Sequence, residues 1–425
     1  MLIRRLLLAL SLSLVLAASA PPAAAQLSAT AQTRPAAAAP ARVIAIWGGA
    51  RTSIVLKSDG TVWDWGMNDF GKLGDNAVST FTDTKTYING TQDRHTPIQV
   101  HGPSNHSYLD SITAIMGGES HNFALKSDGT VWAWGWNAVN QIGDGTNTDR
   151  YTPVQVSGLY SITALGGRGY HSLAIRADGT VWAWGWNNDG QLGDGNILST
   201  TVPVEVIGLS GVLSVTAGYE HSLALMADHT LRAWGASYYG QLGDGSYSPS
   251  YVPVPVHVLS DVVQVSSGWE HNVALKSDGT VWTWGWNFNG ELGDGTTNNS
   301  NVPIQVSGLS QVMAVSGGDF HTAALESNGT VWTWGWNRDG QLGDGTNTER
   351  HTPVQVVGLA NVIAIAARDH HNLAIEADRS VWAWGWNING QLGDNTTTDR
   401  NIPVQVLFPS ASFVPTWLYL PLITR

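Results

Sequence analysis

The sequence predicts an all-β fold, a seven-bladed β-propeller with four antiparallel strands per blade, and three observations carry that prediction. A tryptophan string, Trp-x-Trp-Gly in six copies and Arg-Ala-Trp-Gly in one, places its last Trp at 65, 134, 184, 234, 284, 334 and 384, with gaps of 50 after a first gap of 69. Each repeat contains four short β-type segments separated by turn residues, as a propeller blade does. No atypical capping repeat is visible, although a solenoid would need one at each end.

The third repeat illustrates how the strands are assigned. The Asp-Gly pair at 178–179 predicts a two-residue hairpin turn between the second and third segments. Pro203 cannot donate to a ladder, so the fourth segment is expected at a sheet edge. Since every strand is present seven times, a blade is either continuous in sequence or completed by strands from both termini. The four segments, called strands A to D, are Ser161–Leu165, His171–Ile175, Val181–Trp186 and Val202–Val206.

Four regions are expected along the 425 residues. Residues 1–25 have a basic start, an apolar stretch and small residues before the cleavage point, which predicts a secretory signal peptide. Residues 26–41 predict a flexible Ala/Pro/Thr-rich leader, residues 42–407 the propeller, and residues 408–425 an apolar, proline-containing tail that is too broken for a membrane helix. We therefore expect a secreted protein, extracellular or associated with the cell surface, that is a monomer without a membrane span.

Composition excludes several function classes. The absence of cysteine excludes disulfides, thiol catalysis and cysteine-ligated zinc. A formal net charge of −12 argues against nucleic acid as a partner. No cofactor is expected, and stability has to come from packing.

The repeat motifs identify a family resemblance. The copies carry VWAWGWNNDGQLGDG, then TPVQVSGL, then a glycine pair and HSLAL. These strings resemble the regulator-of-chromosome-condensation repeat family, whose repeat couples a Gly-x-Asn-x-x-Gly-Gln-Leu-Gly loop to a later proline. The resemblance covers nearly all of the chain after the signal peptide and implies a propeller that holds protein partners on its faces. One branch, the secreted bacterial seven-bladed inhibitors of β-lactamase, is a functional parallel, but nothing in this sequence fixes that target.

Of the 21 tryptophans, 18 lie in the seven copies of strand C. Trp182, Trp184 and Trp186 share one face of the strand because side chains alternate. The first two positions are expected to pack between blades, against the small face of the neighbouring strand C. The third position ends the strand and is expected to be partly exposed. It is occupied by Trp136, Trp186, Trp286, Trp336 and Trp386.

Two repeated patterns suggest metal or acid–base chemistry and are interpreted as structural. A histidine opens strand B in six copies, from His121 to His371, and one histidine per blade places these side chains too far apart for a common metal. We expect them to be buried and hydrogen-bonded to the backbone. The LGDG loops are rich in side-chain oxygens but lack the full calcium-loop spacing, and calcium binding stays open.

Positions that differ between copies are candidates for partner binding. In an antiparallel blade the A–B and C–D loops emerge at one end, where several large side chains occupy variable positions. Exposed Tyr, Trp, Phe and Arg form interface hot spots. The predicted binding residues are Phe70, Tyr170, Tyr219, Tyr238, Tyr239, Trp269, Phe288, Phe320, Arg338 and His370. An insertion of 13 residues, near 76–90, extends the first C–D loop at the same end.

The favoured function is a secreted, non-enzymatic scaffold that binds an extracellular protein through the A–B/C–D loops. Carbohydrate or cell-wall binding is the alternative. Guanine-nucleotide exchange, the activity of the family's founder, fits the fold but not a signal peptide or an acidic chain. An enzyme is disfavoured because no paired acid and base stands out from the repeats, although propellers do host active sites.

Overall fold

Each repeat builds one complete blade. The computed structural model describes residues 41–77, 92–103 and 107–409. In this part of the chain, seven four-stranded antiparallel sheets each consist of four consecutive strands in the order A-B-C-D. The predicted seven-bladed propeller is confirmed. Every blade is continuous in sequence, so no blade combines strands from the two ends of the array.

The first three blades contain twelve strands and one short 3₁₀ turn, Asp69–Gly71. Their strands are β1 Val43–Gly49, β2 Thr52–Lys57, β3 Val62–Gly66 and β4 Arg94–Gln99; β5 Ile112–Gly117, β6 His121–Lys126, β7 Val131–Gly135 and β8 Arg150–Gln155; and β9 Ile162–Gly167, β10 His171–Arg176, β11 Val181–Gly185 and β12 Thr200–Glu205.

The remaining four blades repeat this arrangement. Their strands are β13 Val212–Ala217, β14 His221–Met226, β15 Leu231–Gly235 and β16 Ser250–Pro255; β17 Val262–Ser267, β18 His271–Lys276, β19 Val281–Gly285 and β20 Ser300–Gln305; β21 Val312–Gly317, β22 His321–Glu326, β23 Val331–Gly335 and β24 Arg350–Gln355; and β25 Val362–Arg368, β26 His371–Glu376, β27 Val381–Gly385 and β28 Arg400–Gln405.

The second tryptophan of each strand C joins neighbouring blades. Trp184 is fully buried and packs on Val131 and Ala133 of the preceding blade, as the alternation of large and small faces predicts. Its Nε1–H donates to the Gln141 carbonyl at 2.8 Å, and all seven indoles make the equivalent bond at 2.8–3.0 Å. Gly143 (φ +76°) lies against this indole, and a Cβ there would come within 2.6 Å of the ring. The tryptophan therefore sets both the packing and the hydrogen bonding between blades.

The first tryptophan of strand C is less enclosed than the second. Trp182 packs against the interblade core but stays partly exposed. Its Nε1–H donates to Thr180 Oγ1 at 3.1 Å, and the Arg176 guanidinium lies 4.2 Å from the ring centroid. The expected packing between blades holds for Trp182 as well, but its enclosure is incomplete because the first position lies next to the solvated B–C turn.

The six histidines are buried, as expected, but their hydrogen-bond partners are side chains of the next blade rather than backbone. His171 Nε2 lies 2.7 Å from Ser222 Oγ, whose hydroxyl donates to the Gln191 carbonyl at 2.9 Å. Ser222 Oγ therefore accepts from His171, which fixes the proton on Nε2. Burial lowers the pKa of His171 to about 3, so the ring is neutral. These bonds cross six of the seven blade interfaces and leave the histidines no free Nε2 for chemistry.

The ring closes by packing between blades 7 and 1. Trp65 Nε1–H donates to the Gln391 carbonyl at 2.8 Å, and His371 Nε2 lies 2.8 Å from Ser53 Oγ. Phe408, at the start of the predicted tail, adds an edge contact to Trp65 with 6.0 Å between centroids. The predicted signal peptide, most of the inserted loop near 76–90 and nearly all of the tail lie outside the described residues.

Candidate functional site: the A–B and C–D loop face

The A–B and C–D loops meet at one end of the propeller, as the antiparallel order predicts, and this end is called the loop face. Trp136, at the end of strand C in blade 2, contacts Tyr170 in the A–B loop of blade 3 with 5.2 Å between ring centroids. The same neighbour relation joins Asp339 of blade 6 to His370 of blade 7. Residues just over 30 apart in sequence therefore become partners across adjacent blades.

The A–B loops are tied to one another around the propeller axis by their backbones. Tyr219 N–H donates to the Trp269 carbonyl at 2.9 Å, and Trp269 N–H donates to the Asp319 carbonyl at 3.2 Å. Similar bonds run from Glu119 to Gly169, from Gly169 to Gly218 and from Asp319 to Asp369. Asp369 Oδ2 accepts from the Arg51 N–H at 3.0 Å and continues the series into blade 1. These backbone hydrogen bonds fix the positions of the A–B loops, and so of the side chains that they carry.

Two buried arginines, Arg168 and Arg368, lie near the propeller axis at this end. The buried Arg168 reaches from blade 3 across the axis, where its guanidinium donates to the carbonyls of Ser267 (2.5 Å) and Gly317 (2.6 Å) and to Asp319 Oδ1 (2.6 Å). Arg368 of blade 7 donates to the Arg168 carbonyl at 2.5 Å. The centre of the site is therefore charged and hydrogen-bonded.

The central charges shift one another's proton affinities. Burial opposes the ionised form of Asp319, but the neighbouring Arg168 outweighs it and lowers the pKa of Asp319. Burial and the charge of Arg168 lower the pKa of Arg368 to about 9. Burial, with the charges of Asp319 and Asp369, raises the pKa of Glu119 to about 8. Arg168 and Asp319 thus form a buried ion pair at the centre of the loop face, in which each charge offsets the other.

A chain of aromatic side chains surrounds this centre, and we call it the aromatic belt. Its middle is a stack in which the Tyr219 and Trp269 centroids are 4.0 Å apart and those of Trp269 and Phe320 5.7 Å apart. Along the belt, successive rings lie 4.0–6.2 Å apart. In chain order the belt consists of Phe70, Trp136, Tyr170, Trp186, Tyr219, Trp269, Phe320, Trp336, His370 and Trp386.

The other predicted binding residues lie at the rim of the belt. Tyr239 packs on Trp286 at 4.3 Å, and Phe288 lies beside the same indole with 72% of its surface exposed. The Arg338 guanidinium lies 4.6 Å from the Trp336 ring centroid. Tyr238, 56% exposed, donates its hydroxyl to Asp189 Oδ1 at 2.7 Å. The structure thus brings all ten predicted residues onto one face, and their role in binding stays a prediction.

An acid–base pair lies on the blade 6–7 side of the loop face. His370 Nδ1 and Asp339 Oδ2 are 3.0 Å apart, and His370 also contacts Trp336 and Trp386. Burial disfavours the charged imidazole, but the hydrogen bond to Asp339 and the nearby charge of Asp369 outweigh it and raise the pKa of His370 to about 9. His370 is therefore a cation at neutral pH.

On the blade 3–5 side, carboxylates meet without a cation. Burial and the charges of Glu220 and Asp189 raise the pKa of Glu270 well above its ordinary value, and Glu270 accepts a hydrogen bond from the Gln241 amide. Burial and the charge of Asp189 raise the pKa of Glu220 to about 6. Within the described residues no ion pair joins Asp189 or Glu220 to a basic side chain. The charges of Asp189 and Glu220 are therefore balanced by no basic side chain of the described residues.

The C–D loops are stabilised internally. Asp144 Oδ1 accepts from the Thr146 N–H (3.0 Å) and hydroxyl (2.7 Å), while Asp144 Oδ2 accepts from Arg150 Nε (2.6 Å). The oxygens that suggested calcium therefore have partners inside the loop. In the described ranges, no three His, Asp or Glu side chains are grouped closely enough to hold a metal ion, and no helix there is long and apolar enough to cross a membrane.

The sequence analysis did not identify the buried Arg168 and Arg368 at the propeller axis or the carboxylates Asp189 and Glu220. Four copies carry glycine three residues before the strand-B histidine, where a Cβ would meet the imidazole, whereas two copies carry Arg168 and Arg368 instead. That exception was visible in the sequence. The carboxylate cluster was harder to find, because Asp189 and Glu220 lie in different repeats and only the 31-residue relation between neighbouring loops brings them together.

The propeller and its repeated loops define this protein as a repeat scaffold. Comparison with protein-family models then identifies the family. The RCC1-like domain matches residues 23–260, and the regulator of chromosome condensation (RCC1) repeat matches residues 278–325, 328–375 and 378–415. The chain belongs to the RCC1 repeat family.

Individual relatives align over shorter stretches. The ultraviolet-B receptor UVR8 of Arabidopsis thaliana is 33% identical over 108 residues, which cover 25% of this chain and 21% of that protein. A secretion-regulating guanine nucleotide exchange factor of Bos taurus is 32% identical over 121 residues, or 28% of this chain and 25% of that protein. The aligned part thus spans about a quarter of these relatives or less.

Solved structures agree in fold. Human WBSCR16 superposes with a TM-score of 0.71 at 24% identity, covering 82% of this chain and 94% of that one. Prp20p of Saccharomyces cerevisiae gives 0.71 at 20% identity, covering 83% and 87%. These similarities establish the propeller fold, and function has to be inferred from the residues of the loop face.

Proposed function

We propose that this protein is a secreted, non-enzymatic scaffold that binds an extracellular protein through its loop face. The aromatic belt carries the proposal. Its rings are half-buried, so binding costs little further side-chain entropy, and their exposed edges offer the Tyr, Trp and Phe groups typical of interface hot spots. Relatives described as exchange factors and as a receptor belong to the same propeller family.

The geometry favours a protein over a glycan. Sugars stack on open aromatic faces, but Tyr219, Trp269 and Phe320 turn their faces toward one another at interplanar angles of 15° and 21°. The exposed ring of Phe288 at the rim keeps carbohydrate or cell-wall binding as the second candidate. The acidic Asp189–Glu220–Glu270 cluster disfavours nucleic acid, whose phosphates would be repelled.

A capture experiment tests the proposal. Tyr219, Trp269 and Phe320 are changed together to alanine, and proteins retained from the native extracellular medium are identified by mass spectrometry. We expect the triple variant to lose a partner that the parent protein retains reproducibly. The matched control changes Leu213, Val258 and Met313, which are exposed away from the belt, to alanine. Undiminished capture by a folded triple variant would overturn the proposal, and a glycan array reports the carbohydrate alternative.

A further inference from the structure

Strand A of every blade carries a bulge near the end of the propeller opposite the loop face. In blade 4, Val212 pairs with Met226 and Ser214 pairs with Leu225, which leaves Leu213 as an extra residue between the two pairs. The same shift recurs at the second residue of strand A in the other six blades. A bulge changes the direction of the side chain that it inserts. Val212 is therefore buried between blades, whereas Leu213 is exposed to solvent.

In five consecutive blades this extra residue is large and apolar. The A strands of blades 4, 5, 6, 7 and 1 contact one another in that order around the axis. Their extra residues are 39–53% exposed, whereas blades 2 and 3 carry Thr113 and Thr163 at the same position. Neighbouring exposed apolar side chains mark an interaction site. We call this set the apolar arc, and it consists of Leu213, Val263, Met313, Ile363 and Ile44.

The chain leaves strand D of blade 7 along the path that it follows between other blades. Leu407 N–H donates to the Gly393 carbonyl at 2.9 Å, and the equivalent Ile207 N–H donates to the Gly193 carbonyl at 3.0 Å. Each of these bonds lies at the start of a D–A connection, which runs from strand D of one blade toward strand A of the next. The C-terminal segment is therefore directed toward blade 1 at the end of the propeller that carries the apolar arc.

Phe408 brings the chain to one end of the apolar arc. Its ring packs on the core cluster that contains Val43 and Trp65 of blade 1. In the other blades the chain would now enter strand A, but in blade 1 that place is held by Val43–Gly49. Residues 410–425 therefore begin beside blade 1, whose bulge residue is Ile44.

The sequence of residues 410–425 suits an apolar surface. From Phe413 to Ile423 there are eight apolar residues and no charged one, so this stretch gains free energy by leaving water. Pro415 and Pro421 disfavour a helix and favour an extended chain, in which alternate residues share one side. The leucines on one side of such a chain are Leu418, Leu420 and Leu422.

We infer that residues 410–425 bind to the apolar arc of their own chain and cover the end of the propeller opposite the loop face. A chain of 16 residues reaches about 53 Å when extended, and five blades packed about 10 Å apart span at most about 40 Å. The segment is thus long enough to follow the whole arc. Its attachment beside Ile44 gives it an effective concentration of about 1 mM, which favours it over a separate partner.

A fluorescent label on the C-terminal segment tests the inference in the full chain. The protein has no cysteine, so Thr416→Cys provides a single attachment point for acrylodan, a dye whose emission shifts to the blue when it leaves water. We expect the labelled protein to emit at a shorter wavelength than a labelled peptide of residues 410–425, with no change on dilution. Equal emission from protein and peptide would overturn the inference. A blue shift that disappears on dilution would also overturn it, because the segment would then bind a second copy.

A triple variant of the apolar arc identifies the surface. Leu213→Thr, Val263→Thr and Met313→Thr introduce the residue that blades 2 and 3 already carry at this position, so the fold tolerates the change. We expect the blue shift of the label to be lost, because the apolar groups that the segment covers have been removed. A blue shift that persists in this variant would show that the segment lies elsewhere and overturn the inference.

The matched control makes the same kind of change on strand D. Val202→Thr, Val252→Thr and Ile402→Thr alter exposed positions at which blades 2 and 6 already carry threonine, and these positions lie away from the apolar arc. The control is expected to keep the blue shift. An equal loss in both triple variants would show a general effect of surface polarity and overturn the inference.

A variant of the segment itself completes the test. Leu418→Ser, Leu420→Ser and Leu422→Ser are together expected to abolish the blue shift, and combination with the arc variant is expected to change the emission no further, because both remove the same contact. A further change in the combined variant would show separate contacts and contradict the inference. Partner capture by the loop face is expected to be unaffected, so this inference and the proposed function can fail independently.

Discussion

The loop face carries a carboxylate at the same repeat position in blade 6 and in blade 3. The carboxylate of blade 6 has a cationic partner in blade 7, whereas the carboxylate of blade 3 has a second carboxylate in blade 4. Asp339 has His370 at 3.0 Å, and Asp319 has Arg168 at 2.6 Å. On the other side, Asp189 and Glu220 are neighbours, and the Tyr238 hydroxyl donates to Asp189. Asp339 and Asp319 thus each have a cation, although Arg168 reaches Asp319 from blade 3, whereas Asp189 and Glu220 have no ion pair within the described residues.

The contrast shows how a repeat protein separates scaffold from recognition. The interblade tryptophans make the same hydrogen bond in all seven copies and fix the geometry, and an Asp–Arg pair closes the C–D loop in four of them. A single exchange at the second loop, imidazole in blade 7 and carboxylate in blade 4, then reverses the charge of a site without changing its backbone. Specificity therefore arises from a few substitutions on a constant frame.

The largest effect is expected from Arg168→Met, which breaks the compensated side. The change leaves Asp319 buried beside an apolar chain, and removing one partner of a buried pair costs about 3–5 kcal/mol. Urea unfolding followed by tryptophan fluorescence measures the loss. Asp319→Asn in the same background is expected to restore part of it, whereas equal and additive losses would show that the two groups do not interact.

Asp339→Asn removes the partner of His370, and its effect on stability is expected to depend on pH. The pKa of His370 is about 9 in the folded protein and about 6.5 in the unfolded chain. Its raised pKa stabilises the fold fully below about pH 6.5, and this stabilisation is lost as the pH rises through about 9. The variant is therefore expected to lose about 2 kcal/mol at about pH 6 and little at about pH 10. A pH-independent difference in the free energy of unfolding would contradict this.

Glu220→Gln acts with the opposite sign on the uncompensated side. The folded-state pKa of Glu220 is about 6, above its ordinary value of 4.5, so ionisation costs stability as the pH rises through this range. Removing the charge is expected to stabilise the protein by about 1 kcal/mol at about pH 7, after allowance for solvent screening, and not at all at about pH 4. Thermal unfolding at both pH values measures this. Destabilisation at neutral pH would show that Glu220 has an internal cationic partner.

Phe288→Ala is expected to have the smallest effect on folding. The ring is exposed at the rim, so the free energy of unfolding should change by less than about 0.5 kcal/mol. A loss of partner capture without a change in unfolding would extend the binding surface from the belt to the rim. A loss of stability above about 1 kcal/mol would show that the Phe288 ring supports Trp286 instead.

The fold could be predicted from the sequence because its determinants repeat. The 50-residue period, the Asp-Gly turns and Pro203 at the edge strand each follow from local chemistry, and seven copies confirm one another. The enclosed Trp184 followed from strand alternation. The residual exposure of Trp182 did not, because alternation gives the face of a side chain but not its distance from the solvated turn.

The site could be predicted only in part. Variable aromatic positions placed residues such as Tyr219 and Trp269 on the loop face correctly. The histidine partners were wrong because Ser222 approaches His171 from the next blade, and no local pattern specifies that contact. Arg168 reaches Asp319 across the propeller axis, 151 residues away in sequence, so that contact depends on the closed ring.

Carboxyl footprinting of the complex tests the central claim most directly. The protein is labelled with a carbodiimide and an amine, alone and with a partner captured from the extracellular medium, and modified residues are located by mass spectrometry. The account predicts that labelling of Asp189 and Glu220 falls in the complex while Asp128 and Asp278 react as in the free protein. Protection of Asp128 and Asp278, with Asp189 and Glu220 unchanged, would place the partner at the opposite end and contradict the account.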